Sequence, residues 1–378
     1  MNTLSKNLQA RLQEREAQGL LRTLETYNPP LGFLNLCDND YLGFAADKKL
    51  GDDARTRAKI YPNGAAASPL VCGYLPCHAE FENMLARDYG FAAGLLWTSG
   101  YAANSGMLGV LIGKDDLVFC DRLIHRSMIA GLAQSGARFF RFRHNDCDHL
   151  EELLSAHPAK GGQTRWLLTE SVYSMDGDMP DMKRLAKIKQ QHDCVWVLDE
   201  AHALGWYGAN GLGLAQHCGV LECIDIFVGT LGKALGSQGA FTLFRDENAR
   251  AAVVNFSPEF IYSTYLAPGA VAMAQAAWEK MKTICTENKN WRAFSENLRA
   301  QLRAHGWNVP KGGSPILPIL IGDEHSTLAL KYFLNTQKIG VGAIRPPTVP
   351  KGTARLRVSL KRTLTQNDAA RLLAALKK

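Results

Sequence analysis

Ile224-Asp225-Ile226-Phe227-Val228-Gly229-Thr230-Leu231-Gly232-Lys233-Ala234-Leu235-Gly236 decides how the rest of the chain is read. Asp225 apart, it opens as a β-branched and aromatic run, which predicts a buried strand, and it closes in a small-residue turn that carries one lysine. Open parallel α/β sheets place their ligand crevices at the carboxyl ends of the strands. Lys233 would sit at such an end, either as an ordinary solvated lysine or as a reacting amine.

Upstream, Cys194-Val195-Trp196-Val197-Leu198-Asp199-Glu200-Ala201-His202 predicts a second buried strand that delivers Asp199 at its end and His202 just beyond. Asp199 and Lys233 are about one βαβ unit apart, so they can face one crevice. A buried carboxylate needs a cationic partner. A protonated pyridine nitrogen would supply it, and a lysine amine beside it would form a Schiff base, which is the pairing used by pyridoxal 5'-phosphate enzymes. Thr98-Ser99-Gly100-Tyr101-Ala102-Ala103-Asn104 follows a strand and opens a helix, offering backbone N–H groups and a hydroxyl to a phosphate. His125, after the strand ending at Cys120, supplies a flat ring to cover a cofactor. Taken singly, each motif has a plainer reading as turn, N-cap or structural histidine. Their order along the chain, all at strand ends, favours chemistry.

With 378 residues the chain has room for one large and one smaller domain. The composition, 46% apolar and 21% charged, is that of a soluble globular protein, and no apolar run is long enough to span a bilayer. The nine cysteines are scattered without a C-x-x-C pair, which predicts buried, reduced thiols and no disulfide framework, and their spacing suits no metal. The net charge of +7 is dispersed, so neither nucleic acid nor membrane is an expected partner. The polar start, with Leu4, Leu8 and Leu12 at helical spacing, predicts an amphipathic docking helix without a signal-peptide core, and a cytoplasmic protein.

Apolar runs at Gly94–Trp97, Asp116–Cys120, Arg138–Phe142, Trp166–Thr169, Cys194–Leu198 and Ile224–Val228 alternate with helical patterns, as βαβ units require. A long helix is expected over Pro268–Ile284, its apolar stripe placed to bridge two domains. Beyond it, runs at Ile316–Ile321 and Ala354–Leu360, helices near Ser326–Gln337 and Gln366–Leu376, and a proline-stiffened loop from Gly342 to Pro350 predict a smaller α+β unit. The expected organisation is an N-terminal helix and arm (1–45), a large α/β domain with a mostly parallel sheet (46–285) and a small α+β domain (286–378).

Ser-Gly-Tyr-Ala-Ala-Asn (99–104), Asp-Arg-Leu-Ile-His (121–125), Thr-Glu-Ser-Val-Tyr-Ser-Met-Asp-Gly-Asp (169–178), Asp-Glu-Ala-His (199–202) and Thr-Leu-Gly-Lys (230–233), in this order, resemble the α-oxoamine synthases. These are fold-type-I pyridoxal phosphate enzymes that condense an amino acid with an acyl thioester. The run 344–350, followed by Gly352-Thr353-Ala354-Arg355-Leu356-Arg357, is most similar to the branch that joins L-alanine to a pimeloyl thioester, on coenzyme A or acyl carrier protein, in biotin biosynthesis. The resemblance implies that Lys233 carries the cofactor as a Schiff base, Asp199 pairs with its ring nitrogen, His125 stacks on the ring and His202 meets its phenolic oxygen. Ser174, Thr230 and the Gly100 and Tyr101 backbone would complete the cofactor site. Arg345 would take a substrate carboxylate, with Arg22, Asn39, Thr348 and Arg357 near the substrate. Thr264 would reach the neighbouring subunit's phosphate, implying a homodimer with shared active sites.

The chain departs from the family at 64–74, where three alanines replace glycine- and serine-rich sequence and would remove the freedom for positive φ. Sister enzymes using glycine or serine remain open as alternatives. A non-catalytic subunit on the same fold would be expected to lack the lysine.

Overall fold

The computed structural model describes residues 2–24, 26–285 and 289–377. Two compact units divide the chain. The larger comprises Asn39–Ser174 and Asp178–Arg292; the smaller comprises the chain up to Asp38, Met175–Gly177, and Ala293 onward.

The strands among the described residues are β1 (Leu34–Leu36), β2 (Ala93–Trp97), β3 (Leu117–Asp121), β4 (Arg138–Phe142), β5 (Arg165–Glu170), β6 (Cys194–Asp199), β7 (Ile226–Thr230), β8 (Ala240–Phe244), β9 (Ile316–Gly322), β10 (Ile339–Ile344) and β11 (Ala354–Ser359). The larger unit holds a sheet in the order β2-β8-β7-β6-β5-β3-β4. Its pairings are parallel except at β8, which runs antiparallel to β2 and β7. The fold is the α/β architecture expected.

Strand β7 is buried along its whole length, as its uninterrupted apolar run predicts. It begins two residues later than expected because the Asp225 carboxylate is used otherwise. It accepts the Trp196 N–H (2.7 Å) and meets Lys189 Nζ (3.2 Å), which ties the start of β7 to β6. β8 was not anticipated. It returns directly after the lysine turn without a helix, so a search for strand–helix alternation passes over it. Its Thr242 is buried and accepts the Trp97 indole N–H (2.9 Å).

The helix Pro268–Ile284 forms as expected, but its stripe serves one unit. It packs on the helices Lys48–Ala58 and Pro76–Tyr89, and Trp278 donates to Asp88 (2.7 Å), all within the larger unit. In the smaller unit the sheet order is β1-β10-β11-β9, with β10 parallel to β1 and antiparallel to β11. The segment expected to begin as a loop at Gly342 therefore starts inside β10.

The helix Thr3–Ala17 forms as expected, with Leu4, Leu8 and Leu12 exposed on it. Two other expectations are corrected. All nine cysteines are free thiols, but Cys37 and Cys72 are exposed and Cys218 and Cys223 half-exposed. Ala66 adopts φ 59° despite being alanine, so the positive-φ geometry survives the loss of glycine. Among the described residues, no helix is long and apolar enough to cross a membrane.

Candidate active site

The carboxyl edge of the larger sheet gathers the chemistry. Glu170 at the end of β5 lies in register with Asp199 at the end of β6, and Asp199 with Val228 of β7. Beyond β7 the chain turns tightly: Leu231 N–H donates to Gly239 O (2.9 Å) and Gly236 N–H to Lys233 O (2.9 Å). Gly236 is required here. Its φ is 59°, and an added Cβ would overlap the Ala45 backbone nitrogen. Lys233 is thereby held at the strand end.

Asp199 is 7% exposed. Its Oδ1 accepts from the Ala201 N–H (2.9 Å) and its Oδ2 from Asn104 Nδ2 (2.9 Å), which stabilises an ionised carboxylate away from water. Asn104 Nδ2 also reaches Ser127 Oγ (3.1 Å), and Ser127 Oγ lies 2.7 Å from His125 Nδ1. His125 caps the helix Arg126–Ser135, its Nδ1 accepting from the Ser127 N–H (3.3 Å). Desolvation lowers its pKa despite attraction by Asp199, and Lys233 adds to the lowering, so a neutral ring is favoured. That suits a stacking role.

His202, almost fully buried, bridges two groups. Its Nε2 is 2.9 Å from Lys233 Nζ and its Nδ1 is 2.6 Å from Tyr41 Oη. Glu170 feels both Asp199 and Lys233. Burial, then repulsion by Asp199, raises its pKa well above the carboxylate range against the pull of Lys233, and its Oε1 is buried without a hydrogen-bond partner. These effects disfavour its charged form at the edge of the site. Thr230 ends β7 so close to Gly100, at the start of the helix Gly100–Leu111, that a Cβ on Gly100 would fall 2.9 Å from Thr230 Cγ2. Ser99 caps that helix, accepting from the Ala102 N–H (3.1 Å). Tyr101 is exposed there, Ser174 is half-buried on the loop after β5, and Thr264 is exposed after the short helix Pro258–Ile261.

A partly buried ion cluster flanks the same edge. His144 Nδ1 meets Asp121 Oδ1 at the end of β3 (2.8 Å), and its Nε2 meets Asp178 Oδ2 (2.8 Å). Desolvation alone would lower the His144 pKa. The hydrogen bonds and charges of both aspartates outweigh it and raise the pKa to about 10.

The smaller unit brings together three of the residues expected at the substrate. Arg22 Nη2 donates to Thr348 Oγ1 (3.0 Å), Arg345 donates to Gly19 O, and these side chains line a cavity of about 260 Å³ with Leu20, Ile344 and Pro346. Arg357 lies elsewhere in that unit, buried in β11 and donating to Ser359 Oγ (2.8 Å). Asn39 belongs to the larger unit, where its Oδ1 accepts from Tyr41 Oη (3.1 Å).

Sequence reasoning passed over Asn104, Ser127, Tyr41, Glu170 and His144. Asn104 carried a usable signal, because a buried asparagine inside an apolar helix demands a partner.

The family model for aminotransferase class I and II matches residues 32–376. The chain belongs to that family. A protein of Anaeromyxobacter dehalogenans strain 2CP-1 named 8-amino-7-oxononanoate synthase is 40% identical over 97% of this chain and 94% of its own. A solved serine palmitoyltransferase from S. paucimobilis, with a bound PLP–myriocin aldimine, superposes with TM-score 0.90 at 26% identity, covering 100% of this chain and 98% of that one. A solved 8-amino-7-oxononanoate synthase from Francisella tularensis gives TM-score 0.75 at 25% identity, covering 92% and 97%. The α-oxoamine synthase resemblance is borne out, and the chain is a pyridoxal phosphate-dependent acyltransferase of fold type I. The larger unit fits that cofactor. It offers a buried, doubly bonded carboxylate, a lysine amine at the neighbouring strand end and a close-set Gly100–Thr230 helix start.

Proposed function

We propose that the chain condenses L-alanine with a pimeloyl thioester, carried by coenzyme A or acyl carrier protein, to give 8-amino-7-oxononanoate, CO2 and the free thiol in biotin biosynthesis. The observation that carries the substrate choice is the 40% identity to 8-amino-7-oxononanoate synthases over nearly the whole chain. Pyridoxal phosphate, when bound, supplies an electron sink for a carbanion at the amino acid's Cα.

The chain's own residues do the rest. Lys233 would hold the cofactor, and its free amine would take the Cα proton and later return it. Asp199, held by Asn104 and the Ala201 N–H, would balance positive charge on the pyridine nitrogen. His125 covers the ring and His202 orients the lysine amine and the phenolic oxygen. Ser174, Thr230 and the Gly100 and Tyr101 backbone hold the cofactor, with Thr264 reaching the second subunit of a homodimer whose active sites are shared. Arg345 takes a substrate carboxylate, with Arg22 and Thr348 beside it. A carbon–carbon bond forms between Cα and the thioester carbonyl, the carbon–sulfur bond breaks, and the amino acid's carboxyl leaves as CO2. The same reading puts the enzyme in the cytoplasm.

A sister activity with serine is favoured by one observation, the higher structural similarity to serine palmitoyltransferase. The sequence identity to the oxononanoate synthases weighs more, since the acyltransferases share one fold and differ in small pockets. The deciding assay measures coenzyme A release from pimeloyl-CoA with each small amino acid in turn. Dependence on L-alanine is expected, and dependence on glycine or serine instead would overturn the proposal. Borohydride should abolish the visible absorbance of the purified enzyme and label Lys233; label on another lysine would refute the assignment of the amine.

A further inference from the structure

His78 and Glu82 lie one turn apart on the helix Pro76–Tyr89, both buried, and both reach the same two stretches of chain within the larger unit. His78 Nδ1 accepts the Leu75 N–H (3.0 Å), and its Nε2 donates to Leu266 O (2.8 Å). Both partners are backbone groups with one possible role each, so the ring has one polarity. Glu82 Oε2 accepts from Tyr74 Oη (2.7 Å) and lies 3.3 Å from Arg250 Nη2. Glu82 Oε1 accepts the Leu96 N–H (2.8 Å) and lies 2.9 Å from Tyr265 Oη. Each side chain therefore joins residue 74 or 75, at the end of the loop that departs from the family, to residue 265 or 266. A third link closes between the same stretches, where the Tyr265 N–H donates to Ala67 O (2.9 Å).

We infer that His78 and Glu82 are positioning residues that clamp residues 262–266 to the loop 67–75 and so hold that segment in place to receive a cofactor phosphate. Thr264 is exposed, next to the buried Tyr265, and its place is set by the backbone on which it stands. The clamp grips that backbone one and two residues further on, through Tyr265 and Leu266. A donor fixed in advance loses little conformational freedom when its ligand arrives, which is what a phosphate site on an exposed segment needs.

The inference rests on the proposed reading that this segment serves a phosphate in a shared site, and the test separates the clamp from the assignment of Thr264. The full-length chain is freed of its cofactor and titrated with pyridoxal phosphate and with pyridoxal, which lacks the phosphate, each followed by visible absorbance. The readout is the ratio of the two affinities. Tyr74→Phe and Tyr265→Phe each remove one hydroxyl from the clamp, and each is expected to weaken pyridoxal phosphate about tenfold, the scale of one hydrogen bond to a charged group, with pyridoxal unchanged. Tyr74 is 39% exposed, so its variant serves if Tyr265→Phe fails to fold. Trp278→Phe, which loses a hydrogen bond to Asp88 elsewhere in the unit, is expected to keep the parent ratio. A lowered ratio in either tyrosine variant upholds the inference, and if Thr264→Val then keeps the parent ratio, only the assignment of Thr264 falls. A parent ratio in both tyrosine variants, equal weakening of the two ligands, or an equal fall in Trp278→Phe overturns the inference.

Discussion

Replacing His144 by glutamine tests whether the ion cluster at the ends of β3 and β5 stabilises the chain through charge. The histidine side chain is 23% exposed, between Asp121 at 1% and Asp178 at 37%. Its pKa is raised from an ordinary 6.5 to about 10. A group whose folded pKa exceeds its unfolded value contributes stability that is fully present below about pH 6.5 and is lost as the pH rises toward 10. At about 1.4 kcal/mol per pKa unit, the displacement is worth at most about 5 kcal/mol. Solvent at Asp178 screens one of the two pairs, so about 2–3 kcal/mol is the reasonable expectation. Urea unfolding of parent and His144→Gln chains at pH 6.5, 8 and 9.5 measures it. The variant should be less stable by about 2–3 kcal/mol at pH 6.5, with the gap closing as the pH rises. A gap that stays constant across this range, or none at pH 6.5, would show that the cluster acts by packing and not by charge.

Ala66→Gly should raise the unfolding midpoint, because alanine at φ 59° pays about 1 kcal/mol that glycine does not, less the greater chain entropy of glycine; a lowered midpoint would mean the loop is held for another reason. Asn104→Ala removes a hydrogen bond to the charged Asp199 and should cost about 1.5–3 kcal/mol in denaturant unfolding, whereas Ser127→Ala, which breaks bonds only to neutral partners, should cost about 1 kcal/mol. Equal costs would indicate that the Asp199 carboxylate does not depend on Asn104.

The sequence by itself determined the alternation of buried strands and helices, the long helix near Pro268–Ile284, and the arrival of Asp199, Thr230 and Lys233 at strand ends. These are local properties. Apolar periodicity and turn residues within about ten positions specify them, and they suffice to place the cofactor chemistry on one edge. Strand direction was less legible. β8 reverses after a short turn, and nothing in Ala240–Phe244 distinguishes an antiparallel return from another parallel strand. The end of β10, from Gly342 to Ile344, reads as loop because it is short on large side chains, and its partner β11 is what holds it.

The polar networks were decided by tertiary structure alone. Tyr41 and His202 are 161 positions apart, and Asn104 and Asp199 are 95 apart. A hydrogen bond imposes a distance of about 3 Å in space and no periodicity along the chain, so its partners leave no pattern in the sequence. The lysine turn could be read from its own residues; that His202 meets its amine could be read only from the fold.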